Sequence, residues 1–197
     1  MSINPEPKLA PPGAGLPPFE LFIGRKLFAL KRLLGSRESF TAQFLSERDT
    51  IRRLVDACAT TRRSERVLIP RLRGLEDSSR YWSVWMTLDH LRITNHIFAA
   101  VITSLAQGNA PKKKASTATV KPDPAVTSAV EAAFDESCEH VLAAVAAVPD
   151  LRTTARYAHP WFGPLDAAGW HALAGGHMRI HRAQITTILA ALPSLES

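Results

Sequence analysis

The chain has 197 residues, 46% of them hydrophobic and 21% charged, with a formal net charge of +6. This is enough for one domain with a sizeable core, and the composition excludes wholesale disorder. Its two cysteines, Cys58 and Cys138, form no CxxC pair, so neither a disulfide framework nor a cysteine-ligated zinc site is expected.

No apolar run reaches the ~18 residues of a membrane span. No basic start leads into an apolar stretch, so no secretory signal is expected and a cytoplasmic location is. Residues 1–73 carry fourteen basic and seven acidic side chains, the remainder ten and eleven. The early basic residues alternate with acids along helical segments, and no aromatic-interleaved basic motif occurs. Solvated helix faces are therefore expected, not a nucleic-acid partner.

Residues 1–18 hold six prolines and two glycines and read as an extended or flexible lead-in. A bundle domain is expected over 19–197. Phe19, Phe22, Ile23, Leu27, Leu30, Leu33 and Leu34 then recur at helical spacing, and Gly35 ends the run. A second helix is predicted over 39–60, with Phe40, Phe44, Ile51, Leu54, Val55 and Cys58 on one side. Pro70 and Gly74 make 61–80 a connector.

A third helix runs from Trp82-Ser83 to Leu105, striped by Val84, Leu88, Leu91, Asn95, Phe98 and Ile102. The loop 108–124 is rich in lysine and proline. Asp123-Pro124 then predicts a helix start, with a carboxylate cap followed by proline, for a fourth helix reaching Val148. A loop over 149–165 leads to Asp166, which can cap a last helix over 167–192. No strand is expected, since alternating apolar patterns and hairpin dipeptides are missing. The expected fold is all-α: four long helices in a bundle, with an N-terminal helical extension.

Seven histidines supply the candidate chemistry. His177 and His181 are four apart on one helix, about 40° around its axis, so both imidazoles face one side and can reach one metal ion. A third ligand must come from elsewhere. His90 and His96 lie about 120° apart on the third helix, so at most one of them joins, and the pattern alone allows either. His159 sits in the loop before the last helix, where a role in the turn is the simpler reading and a place at a pocket mouth the other. His140 and His171 read as surface or internally satisfied residues. Asp89 points about 100° away from His90, as an exposed or supporting acid. Arg179 and Arg182 read as solvated charge.

Two segments carry a family resemblance. Trp82-Ser83 leading to Asp89-His90-Leu91 resembles the second-helix signature of the DinB-like (YfiT-like) four-helix-bundle superfamily. The run His159-Pro-Trp-Phe-Gly-Pro-Leu165, with Trp170, the pair His177/His181 and Gln184-Ile185, resembles that family's last helix. The resemblance covers about residues 36–192. It implies His90, His177 and His181 as ligands of a divalent metal ion, and zinc, nickel or iron would each accept three imidazoles.

Three neutral ligands leave positions open, the catalytic pattern. No Glu stands beside His177, so an HExxH protease site is excluded. The resemblance implies a transferase that uses a low-molecular-weight thiol on a small-molecule substrate. The alternatives are a hydrolase using metal-activated water and a non-enzymatic helical scaffold. A homodimer is consistent with the family.

Overall fold

The structure, a computed structural model, describes residues 6–193. Five α-helices and two short hairpins lie among them. Helix α1 (Pro18–Leu34) opens with proline at its first position, where the missing N–H is of no consequence. Helix α2 (Arg37–Asp56) starts and ends earlier than the 39–60 expected. Its start is set by a capping box: Ser39 N–H donates to Ser36 Oγ (3.2 Å) and Ser36 N–H to Ser39 Oγ (2.8 Å).

The expectation of no strands is corrected in two places. In the connector, β1 (Val67–Leu68) pairs antiparallel with β2 (Tyr81–Trp82). Before the last helix, β3 (Tyr157–His159) pairs with β4 (Gly163–Leu165). Strands of two and three residues are too short to show an alternation. The next rung of the first hairpin extends it, with Ile69 N–H donating to Arg80 O (3.0 Å) and Arg80 Nε to Ile69 O (2.9 Å).

Helix α3 (Val84–Ala106) is capped by Ser83, whose Oγ accepts from Met86 N–H (3.1 Å). Helix α4 (Ala129–Ala146) begins later than Asp123-Pro124 suggested. Asp123 does act as a cap, accepting from Ala125 N–H (2.8 Å), but it closes only a turn. Its own N–H donates to Asp89 Oδ2 (3.0 Å), which pins the chain there before the helix begins. Helix α5 (Ala167–Ala191) matches expectation, with Asp166 Oδ1 accepting from Gly169 N–H (2.8 Å).

The four-helix bundle is α2, α3, α4 and α5. Helix α3 packs on α4 and α5, and α5 packs on α2. Arg48–Glu139 (2.8 Å) and Arg52–Asp135 (3.2 Å) close the ring between α2 and α4. The core includes Phe44, Ile51, Leu88, Ile102, Phe134 and Ile185, all buried. At Gly175 a Cβ would stand 3.3 Å from Phe44 N, so the glycine permits the close approach of α5 to α2.

The lead-in, from residue 6 on, lies along the bundle surface. Ala10 N–H donates to Asp77 Oδ2 (2.7 Å), and Glu6 pairs with Arg66 (2.9 Å).

His171 is buried, not a surface residue. Its Nε2 lies 3.2 Å from Thr41 Oγ1, its ring meets Phe40 edge-on, and its Nδ1 has no partner. Burial, with Arg37 and Lys31 nearby, pushes its pKa down to about 4 from 6.5. Between those values the unfolded chain binds more protons than the folded one. This contribution is therefore complete above pH 6.5 and is lost as the pH falls toward 4, by roughly 3 kcal/mol at most. Chemical denaturation at pH 7.5 and pH 4.5 should show a smaller acid loss in His171→Gln than in wild type. Equal losses would remove His171 from the account.

Candidate metal centre

Three side chains from two helices meet inside the bundle. His90 comes from α3, and His177 and His181 come from α5 one turn apart. One ring nitrogen from each lies within 4.8 Å of the others. His90 Nε2 is 3.2 Å from His177 Nε2, and the ring centroids are 4.5 to 5.1 Å apart.

The hydrogen-bond partners fix two of the three tautomers. His90 Nδ1 donates to Val120 O (2.6 Å), leaving its Nε2 lone pair free. His181 Nδ1 donates to Gln184 Oε1 (2.7 Å), while Gln184 Nε2 donates to Ser79 O (2.7 Å). An imidazole whose far N–H is held in this way is oriented and made more basic as a ligand. His177 Nδ1 is buried and has no partner.

Aromatic rings wall the cluster. Trp82 lies nearly parallel to His181 at 6.2 Å (11°), and Phe98 meets His177 edge-on at 5.5 Å. Burial holds His90 down at about 4. Burial first, then the neighbouring imidazoles, holds His177 and His181 well below the ordinary range. At neutral pH all three are uncharged and present lone pairs. Three neutral nitrogens this close, two with their far side hydrogen-bonded, fit the donor set of a divalent ion with open positions.

The cluster opens into a cavity of about 530 Å³. One wall is apolar, with Ile97, Phe98, Val101 and Trp161, and the loop lysines Lys113, Lys114 and Lys121 line another side. Glu76 is the acidic residue in the lining. It is tied to Lys121 Nζ (2.9 Å) and Thr117 Oγ1 (2.8 Å). Burial alone would raise its pKa, but the ammonium and hydroxyl outweigh that and keep it below the usual carboxylate range.

His159 combines the two roles weighed for it. Its Nδ1 accepts from Trp161 N–H (3.1 Å) within the turn, and its ring lines the cavity between Phe162 and Trp170. The geometry separates His90 from His96, which turns away to α4 with Nδ1 3.2 Å from His140 Nδ1. His140 is exposed, as expected. Asp89 is buried but lies outside the cavity lining, where it holds Arg92 (2.8 Å) and Asp123 N–H. Arg182 is paired with Glu47 on α2 (2.5 Å), not solvated, whereas Arg179 is exposed.

Sequence reasoning missed the Val120 carbonyl, Glu76 and the lysine wall. All three sit in connectors, where spacing carries no facing information. Gln184 was readable, since it lies three residues after His181 on the same helix face.

A family model described as the DinB superfamily matches residues 34–185. Among solved structures, the chain is similar to that of TT2238, a four-helix bundle protein. The two are 19% identical with a TM-score of 0.57, over 77% of this chain and 98% of that one. No curated protein matches the chain.

Proposed function

Since this chain belongs to the DinB superfamily, we propose that it is a metal-dependent transferase that joins a low-molecular-weight thiol to a small electrophilic substrate. His90, His177 and His181 would hold the ion, which is zinc, nickel or iron. When bound, the ion supplies a Lewis acid strong enough to deprotonate a coordinating thiol near neutral pH.

The single observation that carries this reading is that, among the described residues, the two groups beside the cluster that could serve as a base are already engaged, His159 accepting at Nδ1 from Trp161 N–H and Glu76 held by its own partners. The lone pairs face a cavity whose acidic side chain, Glu76, is already engaged by Lys121 and Thr117. A hydrolase needs a free carboxylate or imidazole to take a proton from water. A thiol transfer asks less, because the nucleophile arrives acidic.

The chain's own residues would orient and shield. Val120 and Gln184 keep two imidazoles aligned. Phe98, Val101 and Trp161 exclude water from an apolar substrate. His159 accepts at Nδ1, so its ring hydrogen is on Nε2 and is the donor it can offer to a molecule in the cavity. In the transfer, sulfur bonds to the electrophilic carbon as that carbon's bond to its leaving group breaks; the leaving group, chloride in the case of chlorodinitrobenzene, departs with the bonding pair, and the thiol proton goes to solvent.

The test is a panel of cysteine, N-acetylcysteine and glutathione against electrophiles such as chlorodinitrobenzene, with zinc- or nickel-loaded protein. Conjugates found by mass spectrometry, absent with His181→Ala, are the expected result. Ester cleavage without thiol consumption would favour the hydrolase. Metal-free, inactive protein would favour the scaffold.

A further inference from the structure

Helix α1 is inverted relative to an ordinary surface helix. Its polar side faces the bundle. Glu20 accepts from Arg71 Nη2 and Gly74 N–H (both 2.5 Å), Lys31 Nζ donates to Ala172 O (2.8 Å), and Arg32 pairs with Asp166 (2.9 Å). Arg25 Nε reaches Trp161 O (2.5 Å). The opposite side is bare and apolar: Phe19 is 77% exposed, Leu33 79% and Leu34 76%, and Phe22, Ile23, Leu27 and Leu30 are exposed between them.

At about 100° per residue these seven fall within an arc of about 140° centred away from the bundle, interrupted only by Lys26. No residue of α1 is buried. Four anchors along its length hold the helix in this orientation, so the apolar face cannot roll inward without breaking them.

The size of the patch indicates what covers it. A fully exposed large apolar side chain presents on the order of 150–250 Å². At the observed exposures the seven together leave roughly 800 Å² bare, which is the share one partner contributes to a standard interface. Isolated monomers rarely expose more than a few hundred Å² in one patch.

The rest of the surface narrows the choice further. Among the described residues, the large hydrophobics exposed outside α1 are Leu68 and Ile97 alone. Among the described residues a second copy offers no other continuous patch of exposed large hydrophobics to meet α1, which favours an isologous pairing, α1 against α1. The spacing suits it: Ile23, Leu27, Leu30 and Leu34 follow the 4-3-4 pattern of a packed helix pair. A lipid surface fits less well, because Lys31 and Arg32 are turned inward, the exposed Arg25 is held by Trp161 O, and Lys26 is the cation left on the apolar side.

We infer that the protein forms a two-fold homodimer through the outward face of α1, a surface almost wholly outside the family match at 34–185. The pairing also bears on the cavity. Phe28 on the inward side packs on Phe162 at 4.6 Å, and Arg25 holds Trp161, a residue of the cavity wall.

Sedimentation equilibrium on the full chain at tens of micromolar should give twice 21.6 kDa. The double variant Leu27→Glu/Leu30→Glu should sediment as a monomer with unchanged circular dichroism, since both side chains are already more than half exposed. Ile97→Glu should remain dimeric, and Lys26→Leu should tighten the dimer. A monomeric wild type overturns the inference, as does a double variant that stays dimeric. So does a monomer that co-sediments with phosphatidylglycerol vesicles, which would assign the face to lipid.

Discussion

Replacing His177 with alanine should abolish divalent-metal binding while leaving the bundle folded. The substitution removes one of the three imidazoles that, among the described residues, bring ring nitrogens within 4.8 Å of one another, and two imidazoles cannot hold an ion against chelating buffer as three can. The fold should tolerate the change, because His177 Nδ1 has no partner to lose. Wild type should carry about one divalent ion per chain by inductively coupled plasma mass spectrometry, and the variant close to none.

Gln184→Ala should fall between them, weakening affinity about 10- to 100-fold, because it frees the His181 ring without removing a donor. His96→Ala should bind like wild type, since that ring is turned toward His140. Equal metal content in wild type and His177→Ala would sink the three-histidine site. Metal-free wild type after incubation with zinc and nickel would leave the scaffold reading standing.

Trp170→Ala should destabilise the protein by about 3–5 kcal/mol, a large share of the roughly 5–15 kcal/mol of an ordinary domain. Trp170 is 2% exposed and joins three parts of the molecule. It stacks on Tyr157 of β3 at 5.6 Å, packs on Phe98 of α3 at 5.8 Å, and meets His159 edge-on at 5.5 Å. Its indole N–H donates to Tyr157 O (3.3 Å). Truncation would leave a cavity and free the hairpin that carries His159 and Trp161. Urea denaturation measures the cost, and Trp170→Phe should recover about half of it. A loss below about 1 kcal/mol would mean that the hairpin is held without the indole.

The long elements were legible because their signals are local. Asp166, Ser83 and Gly35 punctuate helices at their ends, and the apolar stripes of α2 and α3 mark faces of the bundle. His177 and His181 were legible as a pair from helical geometry alone. His90 was not, because its only rival, His96, is excluded by the direction of α4, which spacing on α3 cannot reveal.

The short hairpins and the start of α4 were hidden for a related reason. Strands of two and three residues carry no periodic signal, and the chain before α4 is fixed by Asp89, a contact distant in sequence. Helix α1 read as an ordinary amphipathic helix. Periodicity finds the apolar face, but only the inward anchors Glu20, Lys31 and Arg32 show that it points outward.

The two cysteines lie buried in the bundle, Cys58 at 6% and Cys138 at 0% exposure, and burial drives both thiols away from ionisation, Cys138 up to about 12. A protonated, enclosed sulfur neither attacks a disulfide nor yields to peroxide. The two thiols of the folded chain are therefore poor nucleophiles. The chain can work among free thiols and their disulfides without trapping them as mixed adducts on itself. A thiol count taken on the native protein in a thiol mixture therefore reads the small molecules and not the chain.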